Sequence, residues 1–313
     1  MLDLHRLDVL RRFSITGSIT ATAAEMGFSP SAISQQLATL ERETGIALLE
    51  RSAKRAALTD AGRMLAERAI GVLIAAERTE SEVAALARRI GGHVTVSTIP
   101  SHASTVAGVL AGLQRVHPDL KVQMRETASL TAPAEVLNLR VDLALVDEWT
   151  ESPSLPVGLL SIPLNREPVV LAMPSKIKLA TDSSITLGEM QRVLEGCTWL
   201  CAPPGQPSRL AGDLLLATAG IHPSTRWEFD GLATIAGLVR LGHGAAILPG
   251  SVALAANLDP SWSRIMNPAI SRQIVALTRS SASQNPTLEL LLSSLRDQLR
   301  VPTIRAQLYP RSR

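Results

Sequence analysis

The sequence predicts a multidomain chain: an N-terminal winged helix-turn-helix, a long linker helix, and a larger C-terminal α/β domain. Three observations carry this reading. Short segments with apolar residues at helical spacing fill the N-terminal part. A single Ala-rich helical pattern then runs from about Asp60 to Arg89 and stops at Gly91-Gly92. From His93 onward, short β-rich runs alternate with helical ones, the pattern of an α/β sheet covered by helices on both faces.

The first helix is predicted from about Leu4 to Ser14, with Asp3 as its cap and Leu4, Leu7, Leu10 and Phe13 on one face. Gly17 breaks it. Ser18 caps a second helix, whose small residues Ala21, Ala23 and Ala24 let a neighbour approach closely, and Gly27 ends it. Ser29-Pro30 restarts the helix at once, because proline at the first helical position gives up no needed N–H. Ile33, Leu37 and Leu40 mark its buried face. Ser31, Ser34, Gln35, Gln36 and Thr39 fall largely on the other side, where hydroxyl and amide groups suit base edges and phosphates in a major groove. After Gly45, IALLERSAKRAALT reads as a strand–turn–strand with Arg51, Lys54 and Arg55 near its tip, a basic wing for phosphates or the minor groove.

Thr59 caps the long helix. Its stripe of Leu65, Ala69, Val72 and Ala76 is too narrow for a globular core and suits pairing with another helix. The predicted domains are therefore 1–58, 59–90 and 91–313. In the last of these, HVTVST, DLKVQMRE, VDLALV, EPVVLAM, TWLCA, TRWEF, AAILP and RQIVALT read as strands of parallel-type sheets. Helices are predicted over about 101–116, 134–139, 209–219, 232–241 and 288–299.

The run LDVLRRFSITGSITATAAEMGFSPSAISQQLATLERETGIALLERSAKRAALTDAG resembles, without gaps, the DNA-binding domain of the LysR-type transcriptional regulators. Matching positions include Gly17-Ser18, Ala23-Ala24, Ser29, Ala32, Ser34, Leu40-Glu41, Gly45, Glu50-Arg51 and Ala61-Gly62. It departs at Pro30, where the family often has Gln, and at Leu49, where it usually has Phe. HPDLKVQMRE, VDLALV, EPVVLAMP and LVRLGHGAAILP extend the resemblance into the family's effector domain. The resemblance implies a periplasmic-binding-protein-like domain of two Rossmann-like halves, about 92–163 plus 268–300 and 164–267. It implies a small-molecule effector between the halves, and pairing of the linker helix in a homodimer or homotetramer. Double-stranded DNA and RNA polymerase are the implied partners. Ligand binding would shift the population of arrangements and so the spacing and bending of DNA half-sites.

Seven residues near predicted strand ends and helix starts are candidate effector contacts: Ser101, His102, Asp147, Trp149, Pro203, Gln206 and Asp230. Helix starts there favour an anionic or acceptor-rich ligand. The bland alternatives are helix caps for Ser101 and Asp230 and surface packing for Trp149.

Composition supports a soluble, cytoplasmic protein. The N-terminus is charged throughout, and no run of membrane-span length is present. A formal charge of +3 fits a nucleic-acid partner. His5, His93, His102, His117, His222 and His243 are scattered, so no metal site is expected. Gly242-His243-Gly244 lacks the spacing of a phosphate loop, and no GxSxG supports a hydrolase. Neither catalytic residues nor a cofactor are expected. Cys197 and Cys201, around a predicted strand, stand too far apart for a disulfide and read as inert thiols. Two rival functions are an α/β enzyme with accessory DNA binding and an architectural protein of low sequence preference. The near balance of acidic and basic residues in 1–90 argues against the second.

Overall fold

The computed structural model describes residues 1–51, 56–149, 154–174, 184–259, 263–267 and 269–299. It divides into two compact units, Met1–Arg88 and Arg89–Arg313.

In the first unit, α1 (Leu4–Thr16), α2 (Ile19–Met26) and α3 (Pro30–Thr44) begin at Asp3, Ser18 and Ser29. Each of these side chains accepts a hydrogen bond from a first-turn N–H. Their apolar faces meet in one core containing Val9, Leu10, Phe13, Ile33, Leu37 and Leu40. Glu41 accepts from the N–H groups of Leu48 and Leu49, both at 2.9 Å, and so sets the angle at which the chain enters the wing. The wing pairs β1 (Leu49–Arg51) with β2 (Ala56–Leu58), Leu49 opposite Leu58. Then α4 (Asp60–Ala87) starts at the Thr59 cap. Gly62 is required in its first turn, since a Cβ there would stand 2.2 Å from the Leu48 carbonyl oxygen.

The stripe predicted for a partner helix is divided on α4. Leu65 packs on the core of its own unit, and Ala69 is buried within the single chain, because α1 lies along α4. Val72 is exposed and Ala76 half-buried.

The second unit contains, in order, β3 (Gly92–Thr98), a 3-10 turn Pro100–His102, α5 (Ala103–Val116), β4 (Leu120–Glu126), α6 (Ala132–Leu137), β5 (Leu143–Glu148), β6 (Leu159–Ala172) and β7 (Ser184–Thr186). After these come α7 (Leu187–Leu194), β8 (Trp199–Cys201), α8 (Pro207–Thr218), β9 (Arg226–Glu228) and α9 (Leu232–Arg240). The last described elements are β10 (Ala246–Pro249), α10 (Gly250–Ala255), β11 (Ser263–Asn267), β12 (Ser271–Arg279) and α11 (Pro286–Leu299). The main sheet has the order β4-β3-β5-β12-β6-β11-β7, with β10 also on β6.

Strand β6 belongs to both halves of this unit. Leu159–Pro168 runs against β12, and Val169–Ala172 runs against β10. The change of partner at Pro168/Val169, and the return from β11 to β12, mark where the chain passes between the halves. Apolar residues of α5 and α11 cover one face of the first half, and those of α6 the other. In the second half, α7 and α8 share one core and α9 and α10 the other.

The expectation of parallel-type sheets requires correction. β3 is parallel to β4 and β5, but β12 is antiparallel to both β5 and β6, and β10 and β11 are antiparallel to β6. The reason is topological: β12 re-enters from the second half and inserts between β5 and β6, running against both. The N-terminal part of β6, together with β7, α7, α10 and β11, was not anticipated. Of these, α7 carried a legible signal, the capping box formed by Thr186 and Glu189.

Candidate functional site

The DNA-facing candidates sit on α3 and the wing. Ser31 and Gln35 are exposed, while Ser34, Gln36 and Thr39 are half-buried. Several are already engaged. Ser31 shares a hydrogen bond with the Ser29 hydroxyl at 2.9 Å, and Thr39 accepts from Arg42 Nη2 at 2.8 Å. Gln36 Oε1 accepts from Arg6 Nε at 3.1 Å, and Arg6 in turn pairs with Glu43, so α1 clasps this glutamine. Gln35 is exposed and has no side-chain partner among the described residues, which leaves its amide open to an incoming base. Lys54 and Arg55 lie outside the described residues, and Arg51 is described by its backbone alone.

In the second unit a cavity of about 770 Å³ opens between the two halves. Ser101, Thr127, Ser129, Asp147 and Trp149 line it from the first half; Gln206, Ser208, Asp230, Arg240 and Ser251 line it from the second. Five of the seven sequence-derived candidates therefore come together: Ser101, Asp147, Trp149, Gln206 and Asp230. Two do not. His102 is buried behind Ser101. Pro203 shapes the turn before α8, its carbonyl taking the Gln206 N–H, and stays off the cavity wall.

Arg272, from β12, forms the floor and is wholly buried. A buried guanidinium is tolerated only when its charge and its donors are matched. All five of its N–H groups are matched here. Nε and Nη2 donate to Glu167 Oε1 at 3.0 and 2.6 Å. Nη1 donates to Ser101 Oγ at 3.1 Å and Asp147 Oδ2 at 3.3 Å. The fifth faces His102 Nε2 at 3.2 Å. Burial, reinforced by the adjacent arginine, pushes the His102 pKa down to about 4. The ring is therefore neutral at pH 7, and its lone pair accepts from the guanidinium.

Asp147 is itself framed. Its Oδ1 accepts from Ser129 Oγ at 2.6 Å, and its Oδ2 from Trp149 Nε1 at 2.7 Å. The Trp149 ring lies 5.8 Å from the guanidinium carbon of Arg272, within cation–π range, so it is a buried part of the site and not surface packing. Ser101 does not cap a helix; it lies inside the 3-10 turn with its hydroxyl on Arg272. Nor does Asp230: Gly231 is the cap residue of α9, which has no side-chain cap, and Asp230 stands exposed at the cavity.

Arg272 and Glu167 were missed from sequence. The available signal was a charged residue inside an apolar strand run, SRQIVALT and NREPVVLAM respectively. Thr127, Ser129, Ser208, Arg240 and Ser251 carried no local signal. The thiols of Cys197 and Cys201 are both free, and burial raises the pKa of each.

Comparison with known proteins covers both units. Residues 4–63 match the bacterial regulatory helix-turn-helix protein, lysR family, and residues 87–300 match the LysR substrate binding domain. YfeR of Shigella flexneri, named an uncharacterized HTH-type transcriptional regulator, is 26% identical over 301 residues, 95% of this chain and 94% of its own length. The nitrogen assimilation regulatory protein nac of Escherichia coli is 25% identical over 303 residues, 93% of this chain and 95% of its own. A probable cat1 operon transcriptional activator of Acinetobacter lwoffii is 30% identical over 258 residues, 80% of this chain and 81% of its own. Among solved structures, a full-length OxyR variant from Pseudomonas aeruginosa aligns with a TM-score of 0.67 at 21% identity, covering 95% of both chains. Full-length CbnR complexed with its target DNA aligns with a TM-score of 0.53 at 21% identity, covering 95% of this chain and all of its own.

Proposed function

Since this chain belongs to the LysR family, transcriptional regulators with a helix-turn-helix DNA-binding domain and an effector-binding domain, we propose that its effector sits in the cavity floored by Arg272. The observation that carries this is the cavity itself: walls from both halves, hydroxyl and charged groups converging, and a rigid guanidinium network beneath. The starts of α8 and α9 contribute Gln206, Ser208, Gly231 and Leu232 to the wall with no side-chain cap. Free N–H groups at these starts favour an acceptor-rich group such as a carboxylate. Ligand that bridges the walls would favour one arrangement of the halves over another, which is how effector binding would alter DNA affinity.

On the DNA side, Gln35 with Ser34 reads base edges and Ser31 and Thr39 assist, while Arg51, Lys54 and Arg55 meet phosphate. Gln36, tied to Arg6, positions α3 against α1. The α4 helix pairs with its counterpart through Val72 and Ala76, giving a homodimer and, from two of these, a homotetramer. The protein acts in the cytoplasm with RNA polymerase as a further partner. Its family makes it a regulator and not an enzyme.

The test is a thermal-shift screen of a metabolite panel on the full chain, with Ser101→Leu beside it. Compounds binding the native state raise its melting temperature. Hits that act on the wild type and not on Ser101→Leu support the cavity; hits that act equally on both place the effector elsewhere.

A further inference from the structure

The charges around the cavity are unequal in availability, and this bears on what the cavity takes. Arg272 is a cation directly beneath the cavity. Its five donors are, however, all used within the protein, and Glu167 lies 2.6 Å from Nη2. With His102 neutral, the floor comprises Arg272, Glu167 and Asp147, a net charge of one negative unit.

Three groups remain open to the cavity. Asp147 Oδ1 has a single partner, Ser129, although a carboxylate oxygen accepts two hydrogen bonds. Asp230 has no partner among the described residues and is exposed at the wall. Arg240, at the end of α9, is likewise exposed at the wall with no partner among the described residues. The free surface is thus two carboxylate faces and one guanidinium. A simple anion would meet Arg240 and would be repelled by both Asp147 and Asp230. A simple cation would leave Arg240 and the uncapped starts of α8 and α9 unmatched.

We infer that the ligand is a small zwitterion, with its protonated amine toward the carboxylates of Asp147 and Asp230, one on each wall, and its carboxylate toward Arg240 and the uncapped helix starts; α-amino acids are the representative class. The inference rests on the reading of this cavity as the effector site and narrows it. The buried Arg272 then acts as a positioning residue: it holds Asp147 in place through Nη1, while Trp149 Nε1 and Ser129 Oγ fix the carboxylate plane.

The experiment is a titration of the full chain with the common L-α-amino acids, each beside the carboxylic acid that lacks its amino group. Thermal shift identifies binders and calorimetry measures them. The expected result is that at least one amino acid binds and that its deaminated counterpart binds about ten- to a hundred-fold more weakly, the worth of a charge-assisted hydrogen bond. Asp147→Asn should narrow that gap. Deaminated acids that bind as tightly as the amino acids overturn the inference. So does a panel in which neither set binds but another metabolite does so in a manner blocked by Ser101→Leu; the cavity reading then stands without the zwitterion. If no compound is blocked by Ser101→Leu, both fail.

Discussion

Glu167 and Arg272 stand opposite one another across β6 and β12, and the same carboxylate accepts the backbone N–H of Ser251 at 2.8 Å. Glu167 lies just before β6 changes partners, and Ser251 begins in α10 of the second half. One buried ion pair therefore ties the crossing strands to a helix on the far side of the cavity.

Breaking this pair should cost more than removing it. Glu167→Leu strips the buried Arg272 of its nearest counter-charge and of the acceptor for its Nε and Nη2 donors, a change of about 3–5 kcal/mol. Glu167→Leu with Arg272→Met removes both charges and should recover most of that loss. All four tryptophans fall in the effector-binding domain, so their fluorescence during urea unfolding follows this domain alone. Equal losses in the single and double variants would show that the ion pair is not the source.

Acidification should weaken this domain through His102. The folded-state pKa, about 4, lies below the ordinary histidine value of 6.5. Between these values the unfolded chain binds a proton that the folded chain refuses. The contribution is therefore intact above pH 6.5, falls by about 1.4 kcal/mol per pH unit below it, and levels off beneath pH 4. Melting temperatures of wild type and His102→Gln across pH 7.5 to 4 check this through the difference in slope between the two proteins. The variant should lose less stability over that window; parallel curves would remove His102 from the account.

On DNA, two kinds of change should separate. Arg51→Ala should weaken binding to every sequence and shallow the salt dependence by about one unit, because one phosphate contact is lost. Gln35→Ala should alter preference at particular base pairs, whereas Gln36→Ala should not, its amide being held by Arg6. Affinities for a set of single-base operator variants, measured at several salt concentrations, distinguish these. A base preference that moves with Gln36 and not Gln35 would reverse the assignment.

Assembly should depend on Val72. This side chain is 44% exposed in the single chain, while Leu65 and Ala69 are occupied within it. Val72→Glu should bury a charge in the seam between two α4 helices and cost several kcal/mol of dimer stability. Analytical ultracentrifugation reads the loss directly. Wild-type association by this variant would place the dimer contact off this part of the helix.

The helices of the DNA-binding domain were legible because their signals are local. Asp3, Ser18, Ser29 and Thr59 each cap a helix within three residues of the N–H they accept. Periodicity then marked Ile33, Leu37 and Leu40 as core. The α/β character of the second domain was legible for the same reason, as were five candidates at strand ends and helix starts. Only the tertiary structure decided the rest. Arg272 and Glu167 are 105 residues apart; a charge inside an apolar run hints at burial, but nothing near either one in sequence identifies its partner. The return of β12 between β5 and β6 made the sheet mixed and placed Arg272 under the cavity. It also withdrew His102 from the wall, while the packing of α1 on α4 engages Leu65 and Ala69 within the single chain. A cap, a turn or a helical face is set by neighbours a few residues away; the balance of buried charge is set by strands that meet only after the chain has crossed between the halves and come back.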